Sequence, residues 1–291
     1  MRSTDTLRHF LFENSSVRGE IVHLDASWRA VIAQKEYPAP VRRLLGELVV
    51  AAVLLSATTR LAGSLTMQIK GDGAIKLLVV ECKDGNSIRA MAHWDEAWQA
   101  DASFVALGKG QLVMTLDPTD GNERFQGIVE LKGSSISETL EEYLRQSGDV
   151  NACLWLATNS DQAAGMLLQR SLDDDMDYDA FWQQTLSIGR CITSSDLLEL
   201  SLMELISRFQ NHYGIRVYAD EAISFQCSCS KDRVDNVLRW LGEEEVHDVL
   251  HDVGTVHIEC EFCGCAYEYD AVDVTQLFLG SMMTNRSDQR H

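Results

Sequence analysis

Phe225-Gln-Cys227-Ser-Cys229-Ser and Ile258-Glu-Cys260-Glu-Phe-Cys263-Gly place two tight pairs of cysteines near the end of the chain, with thirty residues between them. A Cys-x-Cys pair followed by a Cys-x-x-Cys pair is the sequence form of a four-cysteine metal site. Each pair sits on a turn that aims both sulfurs one way, and the intervening segment has only to fold back. Zinc suits the set, because thiolate softness and tetrahedral geometry both favour it. The expected ligands are Cys227, Cys229, Cys260 and Cys263, with one Zn2+ per chain. The first pair has one spacer residue where a zinc knuckle has two.

The segment around the cysteines is small and acidic. From Gln226 to His291 it carries 13 acids against 5 bases and little apolar content. A metal is therefore expected to supply much of its folding free energy, on the order of 10 kcal/mol apparent for structural zinc. Ser230 is placed to cap a helix running to Leu241, closed by Gly242. Glu243-Glu-Glu opens a second helix through Leu250, with acids in its first turn. Val256-His-Ile and Tyr267-Glu-Tyr flank the second cysteine pair as a small hairpin.

The whole chain has 291 residues, long enough for two domains, and 45% apolar residues, enough for a packed core. Its 44 acidic and 25 basic residues give a formal charge of −19, which opposes nucleic acid as a partner. The N-terminus has no apolar signal core. The longest strongly apolar run, Leu48 to Leu55, is too short to span a bilayer, so no membrane partner is expected and a cytoplasmic location is. In a reducing cytosol, cysteines at these spacings mean metal or redox chemistry. The isolated Cys82, Cys153 and Cys191 read as small buried hydrophobes.

Upstream, the pattern is mixed. Leu7 to Phe12 is an apolar cluster and Arg18 to His23 begins a strand. After Pro38 and Pro40, Val41 to Leu61 is apolar nearly all round, which predicts a buried central helix. Leu65, Met67 and Ile69 alternate with polar residues, and Gly71-Asp-Gly turns into Ile75 to Val80, a hairpin. Further strands are expected at Ile88 to Met91, 111–116, 125–131, 152–157 and 165–169, and a capped helix begins after Ser135. Ser171-Leu-Asp-Asp-Asp-Met-Asp-Tyr-Asp is an acidic break. Beyond it, Phe181 to Cys191 and Leu197 to Phe209 have helical periodicity and an apolar stripe. The expected fold class is α+β: an N-terminal mixed domain with a largely antiparallel sheet and a buried central helix (1–174), a helical linker (175–225), and a small C-terminal four-cysteine zinc domain (226–291).

No Gly-x-Ser-x-Gly, Walker or dinucleotide pattern appears, and four cysteines close the metal shell against hydrolytic water. Surface or core placement is the expectation for His247, His251 and His257. Cys265 is a fifth nearby thiol, but Cys-x-x-Cys turn geometry favours Cys260 with Cys263. A static structural zinc and a zinc-thiolate redox switch both fit the spacing. Thiolates are what oxidants attack, and a disulfide across one spacer residue is strained and readily reduced.

The chain resembles the bacterial redox-regulated heat-shock holdases, the 33 kDa chaperonin family, nearly end to end. The resemblance rests on Phe12-Glu-Asn, Val17-Arg-Gly-Glu, Tyr37-Pro-x-Pro-Val-x-x-Leu-Leu-Gly-Glu-Leu, Leu54-Leu-x-Ala-Thr, Gly71-Asp-Gly, Glu123-Arg-Phe-Gln-Gly-Ile-Val-Glu-Leu, Ala164-Gly-Met-Leu-Leu-Gln, Phe225-x-Cys-x-Cys-Ser, Leu241-Gly-Glu-Glu-Glu and Cys260-Glu-Phe-Cys. Departures are Gln146-Ser-Gly-Asp and the additional Cys265. The resemblance implies an ATP-independent stress-response chaperone and not an enzyme. In similar proteins the reduced, zinc-bound form is inactive. Oxidation joins what are here Cys227 to Cys229 and Cys260 to Cys263, zinc leaves, and the module and linker unfold. The uncovered apolar surface binds unfolding clients, holding them for later refolding, and the active form dimerises. The competing expectation is a zinc-dependent thiol-disulfide oxidoreductase.

Overall fold

The structure, a computed structural model, describes residues 5–59, 62–98, 104–119, 123–147, 150–171 and 179–287. Most of the acidic break, the predicted helix end at Leu61 and the Gly148-Asp149 departure lie outside these residues. The chain divides into two compact units, Met1–Gln226 and Cys227–His291.

The first unit is built around one helix. α1 (Ala26–Ile32) is short, and α2 (Ala39–Thr59) follows the prolines as the sequence predicts. Leu44, Leu45, Leu48, Val49, Ala52, Val53 and Leu54 are all buried, on every face of α2. Such a helix needs apolar neighbours all round. Two six-stranded sheets supply them. The first has the order β10-β1-β2-β9-β8, with β11 also on β1; the second has the order β12-β5-β4-β3-β6-β7. Their strands are β1 (Thr6–Phe12), β2 (Val17–Leu24), β3 (Gly63–Gly71), β4 (Ile75–Lys83), β5 (Ser87–Trp94), β6 (Gly110–Pro118), β7 (Phe125–Glu130), β8 (Val150–Thr158), β9 (Ala163–Ser171), β10 (Ile215–Val217), β11 (Glu221–Ala222) and β12 (Ser224–Phe225). Leu7, Val22 and Leu167 of the first sheet and Met67, Leu78 and Val80 of the second share one core with α2. Gly46 marks a close approach, since a Cβ there would fall 2.4 Å from the Thr158 methyl.

The predicted hairpin is β3–β4, with Leu65, Met67 and Ile69 buried and the residues between them half-buried. α3 (Ile136–Ser147) begins where the capping pattern set it. All strand pairs are antiparallel except β12 with β5.

The other face of the first sheet is covered by α4 (Asp179–Gly189), α5 (Ser194–Glu199) and α6 (Leu202–Gln210). Trp182, Leu186, Leu197, Leu202, Leu205, Ile206 and Phe209 pack on Phe10, Phe12, Ile21, Met166 and Leu168. The amphipathic stripe thus rests on a sheet. The run Leu197 to Phe209 is two helices. Leu200 turns extended, and Ser201 and Glu204 form a capping box that restarts the chain as α6. From Ile215 onward the segment is extended: β10 and β11 pair with β1, and β12 with β5.

Candidate metal centre

The second unit is built from α7 (Lys231–Leu241), α8 (Glu243–Val253), β13 (Val256–Glu259), β14 (Ala266–Tyr269) and α9 (Ala271–Ser287). Ser230 caps α7 through its hydroxyl, and Gly254 ends α8 in the left-handed conformation, where a residue without Cβ is unstrained. The two predicted helices and the hairpin are present; α9 has no counterpart among the sequence expectations.

Two turns carry the four sulfurs. Cys227 and Cys229 precede α7, so the capped helix start fixes one pair. The second pair lies between β13 and β14. There Cys260 donates its amide to the Cys265 carbonyl at 2.9 Å, while the amides of Cys263 and Gly264 converge on the Cys260 carbonyl at 3.2 and 2.8 Å. Gly264 is left-handed at φ 63°, which lets the chain reverse into β14.

The four ligand atoms all lie within 4.8 Å of one another. Cys227 Sγ is 3.6 Å from Cys260 Sγ, and Cys229 Sγ is 3.4 Å from Cys263 Sγ. Tetrahedral zinc with Zn–S near 2.3 Å sets its sulfurs roughly 3.8 Å apart, so the cradle has the right size. The electrostatics agree. A hydrogen bond with the Tyr267 hydroxyl pulls Cys229 down to about 7, against the effect of burial. Burial pushes Cys260 and Cys263 up. Four thiols this close do not ionise together unless a cation compensates them. The donor set and spacing therefore fit a soft divalent metal.

The other candidates lie outside the four-sulfur cluster, although Cys265 touches it through Cys263 and Tyr267. His247, His251 and His257 are exposed, near Glu243, Asp252 and Glu268 respectively. Cys265 is exposed and contributes its carbonyl to the turn. Cys82 is buried, and burial raises its thiol to about 11; Cys153 is half-buried and raised to about 12, again chiefly by burial. Cys191 is exposed in the turn after α4, against the expectation of burial, with its thiol on the Ser187 carbonyl at 3.4 Å. The sequence reading missed Tyr267. An alternating Tyr-Glu-Tyr strand marks a hairpin, and nothing in it says which hydroxyl meets a sulfur. Tyr269, two residues on, is buried and donates to Asp235 Oδ1 at 2.7 Å, tying β14 to α7.

Known proteins provide an independent comparison. The family described as Hsp33 protein matches residues 5–270. A 33 kDa chaperonin of Methylobacillus flagellatus is 41% identical over 100% of both chains. One from Chromobacterium violaceum is 39% identical over 100% of this chain and 99% of its own. The crystal structure of the 33 kDa chaperonin (heat shock protein 33 homologue) from Thermotoga maritima superposes with a TM-score of 0.83, covering 96% of this chain and 99% of that one at 18% identity. At that identity the likeness establishes the fold, and the family match and the full-length relatives establish descent: the chain belongs to the Hsp33 family.

Proposed function

We propose that this protein is a cytoplasmic, ATP-independent holdase that zinc keeps inactive and oxidation switches on. The observation that carries the reading is an apolar sheet face covered by helices that lead straight into the four-cysteine unit. Phe10, Phe12, Ile21, Met166 and Leu168 lie under α4–α6, and those helices bury their own Trp182, Leu205 and Phe209 there. The covering segment runs without interruption into Cys227, the first residue of the four-cysteine unit. The reading assigns 1–174 to the core, 175–225 to the linker and 226–291 to the zinc domain.

A zinc ion bound by Cys227, Cys229, Cys260 and Cys263 would hold all four as thiolates and join the two turns. Oxidation acts on those sulfurs. Cys227 forms a bond with Cys229, and Cys260 with Cys263. Each pair gives up two electrons and, counted as thiols, two protons, and one hydrogen peroxide takes both to become two waters. The sulfurs then no longer serve as ligands, and the second unit loses the interaction that its small core cannot replace. The segment from α4 to β12 is released, both apolar faces are uncovered, and unfolding polypeptides bind there. The formal charge of −19 keeps the opened chain in solution, where it acts as a homodimer.

The test combines three readings before and after peroxide at elevated temperature: zinc content, free thiols with disulfide mapping, and suppression of aggregation of a heat-labile client. Zinc loss, the two neighbour disulfides and a gain of suppression should appear together. Zinc that stays bound, or suppression that does not change, refutes the switch. Catalytic turnover of a disulfide substrate would instead mark an oxidoreductase.

A further inference from the structure

The second unit holds a fifth thiol that the four-sulfur cradle does not use. Cys227, Cys229, Cys260 and Cys263 are half-buried, whereas Cys265 is exposed. The turn nevertheless ties it to the cradle. The Cys265 amide donates to Cys263 Sγ, and its carbonyl accepts the Cys260 amide at 2.9 Å. The Tyr267 hydroxyl contacts both Cys265 Sγ and Cys229 Sγ. Only the left-handed Gly264 separates Cys263 from Cys265, so the second turn repeats the Cys-x-Cys spacing of the first.

Exposure and position give Cys265 a different chemistry from its neighbours. An oxidant in solution reaches a sulfur at the surface before one inside a turn. A thiol oxidised once becomes a sulfenic acid, which condenses with a second sulfur in reach to form a disulfide. For Cys265 that second sulfur is Cys263, a member of the cradle, and Cys263 is followed at two further residues' remove by Cys260.

We propose that Cys265 is where a peroxide enters the second unit: it is oxidised first and passes the oxidation to Cys263. The inference rests on the proposed zinc switch and adds its first step. Cys265 Sγ attacks one peroxide oxygen and the O–O bond breaks. The sulfur gives up two electrons and becomes a sulfenic acid, and one water forms. Cys263 Sγ then attacks Cys265 Sγ. The sulfur–oxygen bond breaks, and hydroxide leaves and takes up the thiol proton as a second water. Cys260 Sγ finally attacks Cys263 Sγ, and Cys265 departs as a thiolate that regains a proton from the Cys260 thiol. This last exchange runs downhill, because a disulfide across one spacer residue is more strained than one across two. In sum, one peroxide becomes two waters, Cys260 is joined to Cys263, and Cys265 is restored. Cys265 therefore sets the rate of the switch and leaves its product unchanged.

The test mixes the full-length, reduced, zinc-loaded protein with excess hydrogen peroxide and follows zinc release with a chromogenic chelator. C265S and C265A change an exposed side chain and should load zinc as the wild type does. Both should release it roughly tenfold more slowly, because the sulfurs that remain are half-buried. C191S removes the exposed thiol of the first unit and should release zinc at the wild-type rate. Dimedone present during the reaction should label Cys265 of the wild type before zinc appears. Acid quenching within the release phase should trap a Cys263–Cys265 disulfide that is gone at completion. Release from C265S and C265A at the wild-type rate, dimedone found first on a cradle cysteine, or quenched samples without the Cys263–Cys265 bond overturn the proposal. If release depends on Cys265 but the oxidised chain does not suppress client aggregation, the switch fails and the entry thiol stands.

Discussion

The largest fully buried side chains of the first unit include Trp28, Phe10, Phe12 and Phe209, and α2 contributes Leu44, Leu45, Leu48 and Leu54. The buried apolar set of the second unit is Val234, Leu238, Val246, Val256, Tyr269, Val274, Leu277 and Phe278. One unit encloses a helix between two sheets. The other wraps three helices and a hairpin around a cluster so small that domains of its size usually need a disulfide or a metal. The difference shows that the two units rest on unequal cores, one of which leaves more of its stability to whatever its four clustered sulfurs hold.

Chelation is the strongest way to break the comparison. Removing zinc is expected to withdraw on the order of 10 kcal/mol of apparent stability from the second unit. Limited proteolysis should then cut within the second unit and the released α4–β12 segment, and leave α2 with strands β1 to β9 intact. A second unit that stays resistant after complete zinc removal would mean that its apolar cluster suffices.

Leu48→Ala should cost about 2–5 kcal/mol, because Leu48 is fully buried in the shared core. The midpoint of the first unit's denaturant transition checks it. An equal loss of zinc-site integrity would contradict the independence of the two units.

Glu47 offers a pH reading of the same core. Burial pushes its carboxyl up to about 7, against the pull of Arg43. Between about 4.5 and 7 an unfolded chain has lost that proton while the folded chain keeps it. Stability from this group is therefore full below about 4.5 and falls as pH rises through 7. Glu47→Gln should flatten the profile and raise stability at pH 8 by on the order of 2–3 kcal/mol. A thermal melt series across that window decides it.

Tyr269→Phe is the smallest of the four, about 1–2 kcal/mol, from the lost bond to Asp235 in the second unit. Zinc affinity should shift with it, whereas the first unit's transition should not.

These elements also separate what the residues announce from what they conceal. α2 is legible because its apolar residues leave no polar face, and the β3–β4 hairpin because alternation and Gly71-Asp-Gly coincide. The four sulfurs are legible because spacing alone brings each pair to one turn. The break at Leu200 was in reach, since Ser201 and Glu204 spell a capping box, but the unbroken leucine periodicity masks it. β10, β11 and β12 were not. Strands of two or three residues have no period of their own and exist because β1 and β5 offer them edges. α9 follows a cysteine module whose acidic character hides Val274, Leu277 and Phe278.

The pairing of β1 with β10 carries a consequence for synthesis. β2 leaves the ribosome directly after β1, and the two can close as a hairpin at once. Val217, which pairs with Phe10, is made about 200 residues later, and at roughly 5–20 residues per second that delay is on the order of 10–40 s. Through that interval β1 is a nascent edge with an open ladder beside Phe10 and Phe12, the condition under which neighbouring chains on one message can pair with each other. The segment that completes the first sheet is thus the last of its strands to be translated.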